Sequence, residues 1–214
     1  MGIPREKRFW QVLSWKLFHK NAYADYLGDQ PISPVSIDWG PVRAHRGVSV
    51  TFIKHSTLLI KDVDRTLLID PIFDDIFWFI DDYTPLGFKP DAMPQPDHVL
   101  ITHGHYDHLN SKSLALLPRD THVISPLGYD GVFEDLEMSN RTPLDWFDSF
   151  HDEDTEIIFL PCNHWTMRSP LAGPNDALWG SYLVECAGGV TVFISGDIAW
   201  FDHFPEIGKA GDID

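Results

Sequence analysis

Three histidines and an aspartate fall within six positions in the run Thr102-His103-Gly104-His105-Tyr106-Asp107-His108. Imidazole nitrogen and carboxylate oxygen are good ligands for zinc and similar divalent cations. Gly104 is expected to give this run the backbone freedom a chelating loop needs. A histidine-rich surface loop would offer the same residue types, so position decides. The run follows His98-Val99-Leu100-Ile101-Thr102, an apolar stretch after Pro96 that reads as a buried strand. Ligands in α/β folds gather at such strand ends. Two further candidates follow the same rule. His164 stands just after Leu160-Pro161, and Asp197 in Ser195-Gly196-Asp197 just after the apolar stretch 190–194. Alone, a histidine beside Trp165 is usually a packed residue, and Gly-Asp is usually a turn. Together the three strand ends form a donor set for one cation or a pair. Paired metals about 3.5–4 Å apart can clamp the attacking and leaving oxygens of a displacement, and a metal lowers the pKa of water to about 7. A Ser or Cys nucleophile is then unnecessary.

The elements that must position these residues are many short strands and few helices. Strands are expected over 48–53, 57–60, 65–69, 98–102, 121–125, 156–160, 182–186 and 190–195. Ala187-Gly188-Gly189 marks a hairpin between the last two. A helix is expected over 111–117 with Ser111 as its cap. Residues 74–97 read as loop. Residues 5–20 read as an amphipathic helix, with Phe9, Trp10, Leu13 and Leu17 near helical spacing. It can dock on the body of the protein or lie on an anionic membrane surface. The proline- and glycine-bearing stretch 28–47 reads as an irregular arm. The division expected is an N-terminal helix and arm over 1–47 and one sheet-rich α/β domain over 48–214.

The 214 residues suit one domain with a sizeable core. The net charge of −16 is uneven. Residues 1–20 carry five basic side chains (Arg5, Lys7, Arg8, Lys16, Lys20) and one acidic (Glu6), a net of +4, so the remainder carries −20. An acidic body argues against binding a nucleic-acid backbone. The two cysteines, Cys162 and Cys186, form no CxxC pair and read as small buried thiols, with reducing cytoplasm as the default compartment. No apolar run reaches the ~20 residues of a membrane span, and the start lacks the apolar stretch of a signal peptide.

The order of motifs resembles the metallo-β-lactamase superfamily, and within it the branch of N-acyl-phosphatidylethanolamine-hydrolysing phospholipase D. The matching segments are Phe52-Ile53-Lys54-His55-Ser56-Thr57, Leu68-Ile69-Asp70-Pro71-Ile72-Phe73, Thr102 to Leu109, Asn163-His164-Trp165 with Arg168, Leu178-Trp179-Gly180-Ser181, Ser195-Gly196-Asp197 and Glu206-Ile207-Gly208. The resemblance implies an αββα sandwich with metals at one edge. It implies that His103, His105 and His164 hold one metal, that Asp107 and His108 hold a second, and that Asp197 bridges them. The implied cofactor is zinc, as one or two ions, with manganese or iron(II) as alternatives. The chain departs from the pattern at Lys54 (usually glycine) and Ile198 (usually threonine). The family also continues past the match to Gly208 and supplies a last metal histidine there. The domain is therefore expected to be shortened at the C-terminus, and His203 lies too close to Asp197 to fill that role.

The activity implied is hydrolysis by metal-activated hydroxide, on a phosphodiester such as an N-acyl phospholipid, with Asp107 as the candidate catalytic group. A carboxylic ester, lactone or amide is the alternative substrate, and an inactive shortened chain acting as a binding subunit is the alternative of another class. A redox di-iron site is disfavoured, because glutamate is expected where His105 stands. Asp70 is a candidate partner for a ligand histidine, His55 either lies near the site or packs in the core, and Arg168 either pairs with a substrate phosphate or forms a surface salt bridge. The partners expected are a small-molecule or lipid substrate, peripheral membrane contact and self-association.

Overall fold

The computed structural model describes Ser14, residues 17–19, Ser33, Pro34, and residues 36–76, 84–169, 171, 173–211, 213 and 214. The amphipathic helix expected over 5–20 falls almost wholly outside these residues. Among the described residues no helix is long and apolar enough to cross a membrane.

Among the described residues ten strands form two sheets. The first contains β1 (Ser49–Lys54), β2 (Thr57–Asp62), β3 (Arg65–Ile69), β4 (His98–Leu100), β5 (His122–Pro126) and β6 (Arg141–Leu144), in that order. Strands β1 to β3 pair antiparallel, and β3 to β6 pair parallel. The second sheet contains β7 (Ser149–Asp152), β8 (Thr155–Leu160), β9 (Ser181–Glu185) and β10 (Thr191–Ile194), all antiparallel, in the order β10-β9-β8-β7.

The side-chain alternation of each strand decides the layers. Leu67 and Ile69 of β3, Leu100 of β4 and Ile124 of β5 meet Ile157 and Phe159 of β8 and Tyr182 and Val184 of β9 between the sheets. The opposite faces of the first sheet, through Leu59, Leu68, Val99 and Val123, pack against α1 (Trp39–Ala44), α2 (Ser111–Leu114) and α3 (Asp130–Asp135). The outer face of the second sheet, through Leu160 and Leu183, is covered by Ile207 and Phe204 of α4 (Phe204–Ala210). Burial on both faces explains why β3, β4, β5 and β9 read as nearly continuous apolar runs. The result is the expected αββα sandwich. Asp62, fully buried, pins the two sheets together. Its carboxylate accepts from Thr155 Oγ1 (2.8 Å) and from the amides of Ala187 (2.8 Å) and Gly188 (2.9 Å).

Several features differ from the pattern reading, among them the helices α3 and α4 and the end of α2 at Leu114. Residues 39–44 form a helix rather than arm, and Trp39 packs edge-on against Phe88 in the core. Asn110, not Ser111, caps α2: its Oδ1 accepts from the Ser113 amide at 2.8 Å. Strands β6 and β7 were not expected. β6 tolerates Pro143 because it is the edge of its sheet.

Candidate metal centre

The C-terminal ends of β3, β4, β8 and β10 open onto one edge of the sandwich. Asp70 follows β3, Thr102 to His108 follow β4, His164 follows β8 and Asp197 follows β10. Hydrogen bonds between these loops fix their meeting. The Gly180 amide donates to the Thr102 carbonyl (3.0 Å), the Ala199 amide to the Asn163 carbonyl (2.9 Å), and Asn163 Nδ2 to the Trp200 carbonyl (2.8 Å).

All six predicted ligands come together. His103 Nε2 lies 2.9 Å from His105 Nδ1, which lies 3.3 Å from His164 Nε2. Asp197 reaches both halves of the cluster, with one oxygen 3.4 Å from His108 Nε2 and the other 3.8 Å from His164 Nε2. His103, His105, His164 and Asp197 form one group whose donor atoms lie within 4.8 Å of one another; His55, Asp107 and His108 form a second. His203 instead faces Glu206, 3.4 Å away.

The surroundings assign the tautomers. Asp70, buried at the end of β3, accepts from the Thr102 amide (2.8 Å), the Thr102 hydroxyl (2.6 Å) and His108 Nδ1 (2.7 Å). Asp70 therefore holds a proton on His108 Nδ1, and Nε2 is turned toward the site and Asp197. The Thr102 hydroxyl gives its proton to Asp70 and so accepts from His103 Nδ1 at 3.0 Å. That leaves His103 Nε2 bare. Carboxylates that orient ligand imidazoles in this way are characteristic of metal sites. Asp70 itself sits at φ +42, a left-handed backbone that Asp tolerates better than most residues. Thr57 holds it there, accepting from the Ile72 amide and donating to the Asp70 carbonyl, both at 2.9 Å.

Electrostatics divide the cluster in two. Burial and neighbouring imidazoles push His103 far below its ordinary range and His164 down to about 4. Burial also lowers His105. These three rings are neutral at neutral pH, with lone pairs turned inward. Burial opposes charge on His108 too, but its hydrogen bonds to Asp197 and Asp70 outweigh that and raise it to about 10. Asp197 is lowered by the His108 hydrogen bond, and Asp107, despite burial, falls to about 2 through its bond from His55. Converging bare nitrogens, His103 Nε2 and His164 Nε2 about His105 Nδ1, are poorly served by hydrogen bonds alone. This donor set fits a divalent cation.

Other residues brace the site in ways the chain's pattern did not disclose. Among the described residues Arg168 forms no surface ion pair; it binds the ligand loop. Its guanidinium donates to the carbonyls of Leu109 (2.7 Å) and Gly104 (3.3 Å) and to Ser111 Oγ (3.0 Å), stacks 4.9 Å from the Tyr106 ring, and so clamps the ligand loop. Gly104 is needed for space rather than for its backbone angle. A Cβ there would meet the Tyr129 ring at 2.4 Å. Gly196 combines φ +56 with a Cβ position 2.9 Å from Thr102. Cys162 and Cys186 are both pushed up to about 12 by burial, which fits inert thiols. Of the two places expected for His55, the structure gives the one near the site: Nε2 lies 3.2 Å from Asp107 Oδ2. An open cleft of about 360 Å³ lies beside the cluster, lined by His55, Leu58, His108, Phe193, Ile194 and Asp197, among others.

Comparison with known proteins agrees with this geometry. The family profile of the beta-lactamase superfamily domain matches residues 65–214. An uncharacterized protein of Mycobacterium tuberculosis is 23% identical over 207 residues, 92% of this chain and 54% of its own. The mitochondrial N-acyl-phosphatidylethanolamine-hydrolyzing phospholipase D of Saccharomyces cerevisiae is 29% identical over 148 residues, 63% of this chain and 31% of its own. The chain thus spans about half the length of the first relative and less of the second. Among solved structures, a possible metal-dependent hydrolase from Veillonella parvula superposes with a TM-score of 0.63 at 18% identity, covering 79% of this chain and 70% of that one. With its αββα layers, its converging histidines and a profile match over most of its length, the chain belongs to the metallo-β-lactamase superfamily, whose metal-dependent members imply a divalent cation at this cluster.

Proposed function

We propose that this cluster is a hydrolytic metal centre acting on a phosphodiester within an amphiphile such as an N-acyl phospholipid. One observation carries the hydrolytic reading: three neutral imidazole nitrogens converge at 2.9 and 3.3 Å, and Asp197 spans from them to His108. His103, His105 and His164 would hold one cation, Asp107 and His108 a second, with Asp197 between. Zinc suits these nitrogen and carboxylate donors, and manganese or iron(II) are alternatives. When bound, such a cation supplies Lewis acidity and makes hydroxide available at neutral pH.

The chain's own residues do the rest. Asp70 and Thr102 keep His108 and His103 in the tautomers that present Nε2. Asp107, ionised throughout the neutral range, can orient a water molecule or take its proton at Oδ2, the oxygen that now accepts from His55. Leu58, Phe193 and Ile194 give the cleft an apolar flank beside the charged cluster. That mixture suits a ligand with a phosphate at one end and a chain at the other, and the activity named for the yeast relative supports the same class. The basic, aromatic stretch over 5–20 supports peripheral contact with an anionic membrane, where such a substrate resides.

The test is a substrate panel on the purified chain loaded with zinc, manganese or iron(II): bis(p-nitrophenyl) phosphate, N-acyl-phosphatidylethanolamine and a lactone. Phosphodiester turnover that disappears in His103→Ala and Asp197→Asn is expected. Turnover of the lactone alone would move the substrate class to carbon esters. Stoichiometric metal with no turnover of any substrate would defeat the enzymatic reading.

A further inference from the structure

The β1–β2 hairpin ends in a two-residue turn, His55-Ser56, directly over the ligand loop. Its geometry is unusual. His55 has φ +48, a left-handed backbone that few non-glycine residues adopt, histidine more readily than most, and that surroundings can enforce. Here the enforcement is local: Ser56 Oγ donates to the Asp107 carbonyl at 3.0 Å and ties the turn to the ligand loop. The strained backbone aims the imidazole at the metal cluster. His55 Nε2 lies 3.2 Å from Asp107 Oδ2, and its ring centroid lies 5.9 Å from that of His108. Donor atoms of His55, Asp107 and His108 all lie within 4.8 Å of one another. A glycine in the turn would relieve the backbone, so the histidine is held at a conformational cost.

We propose that His55 is itself a ligand, completing with Asp107 and His108 the site of the second cation. This rests on the metal-centre reading above and adds a donor from a hairpin that no ligand motif includes. In the cation-free chain, His55 Nε2–H donates to Asp107. As a ligand, His55 would present Nε2 to the cation and keep its ring proton on Nδ1. His108 Nδ1 stays on Asp70, so its Nε2 faces the same space. Asp197, 3.4 Å from His108 Nε2, links the two positions. A hydrogen-bonding role alone would orient Asp107 but give no bond to the cation.

The test compares the chain with His55→Gly and His55→Gln by zinc titration calorimetry, elemental analysis and ¹¹³Cd NMR. The parent chain is expected to bind two cations, with scalar coupling between the second cadmium and His55 ring protons. Both variants should keep the first cation at parental affinity and weaken the second at least tenfold. His55→Gly, freed of the strained backbone, should melt no lower than the parent when cation-free, which separates loss of a ligand from loss of fold. Two bound cations without His55 coupling, or unchanged second-cation affinity in both variants, would overturn the proposal. One cation bound to the parent at the His103 group would also overturn it while sparing the metal centre. No cation bound at all would overturn both.

Discussion

At the residue scale the metal cluster is held in opposite protonation states by its surroundings, and this has a measurable consequence. His164 is lowered to about 4, and His103 and His105 are also lowered, so below the ordinary histidine value near 6.5 the unfolded chain binds protons that the native chain refuses. Stability therefore falls as pH drops from about 6.5 toward 4. His108 is raised to about 10, so the native chain binds a proton that the unfolded chain loses, and stability falls again as pH climbs from about 6.5 toward 10. Thermal melts of the cation-free chain should peak near neutrality. Saturating zinc should flatten the alkaline side, because a cation replaces the His108 proton. A second prediction concerns Asp70→Asn, which leaves the volume unchanged but loses the carboxylate shared by His108 and Thr102. Zinc affinity measured by calorimetry should fall about 10–100-fold, as for other carboxylates that orient ligand histidines. Gly104→Ala should cost about 1–3 kcal/mol in a denaturant titration, since its methyl group would overlap the Tyr129 ring.

At the element scale, what was legible depended on burial. Strands β3, β4, β5, β8 and β9 carry apolar runs because both sheet faces are covered, and each was readable to within about two residues. β6, with Arg141-Thr142-Pro143-Leu144, and β7, with Ser149-Phe150-His151-Asp152, sit at sheet edges, so their sequences carry little apolar signal. α1 begins beside Pro41 and α3 is acidic and short, so neither shows helical periodicity. The ligand run His103 to His108 was legible because it is local. The roles of Thr102, Ser56 and Arg168 were not, because each is a contact between segments distant in the chain. The same holds at the opposite end of the sandwich. There Asp152 of β7 accepts from Arg65 of β3 (2.7 Å) and His98 of β4 (2.8 Å), and His98 touches His122 of β5 (2.9 Å between their Nδ1 atoms). This network ties the second sheet to the first. Asp152→Ala should destabilise the chain by about 1–3 kcal/mol in denaturant, by the loss of charge-assisted bonds, while zinc affinity stays at the parental value because the site lies at the other edge.

At the scale of the whole molecule, the sandwich acts as a frame that brings four strand ends to one edge. No single loop closes the cluster: β3 supplies Asp70, β4 the ligand run, β8 His164 and β10 Asp197. Cation binding should therefore couple to global stability. A ligand held only by the native state at 100 times its dissociation constant adds about 2.7 kcal/mol, and the melting temperature should rise accordingly with zinc. The fold alone leaves the reaction open, because one architecture serves many chemistries; the cluster narrows it.

His103, His105, His164 and Asp197 are positioned to enclose a cation. Anomalous diffraction from zinc-soaked crystals at the zinc edge tests it most directly. An anomalous peak is expected within bonding distance of His103 Nε2, His105 Nδ1 and His164 Nε2. Zinc bound elsewhere, with these three nitrogens still hydrogen-bonded to one another, would contradict it.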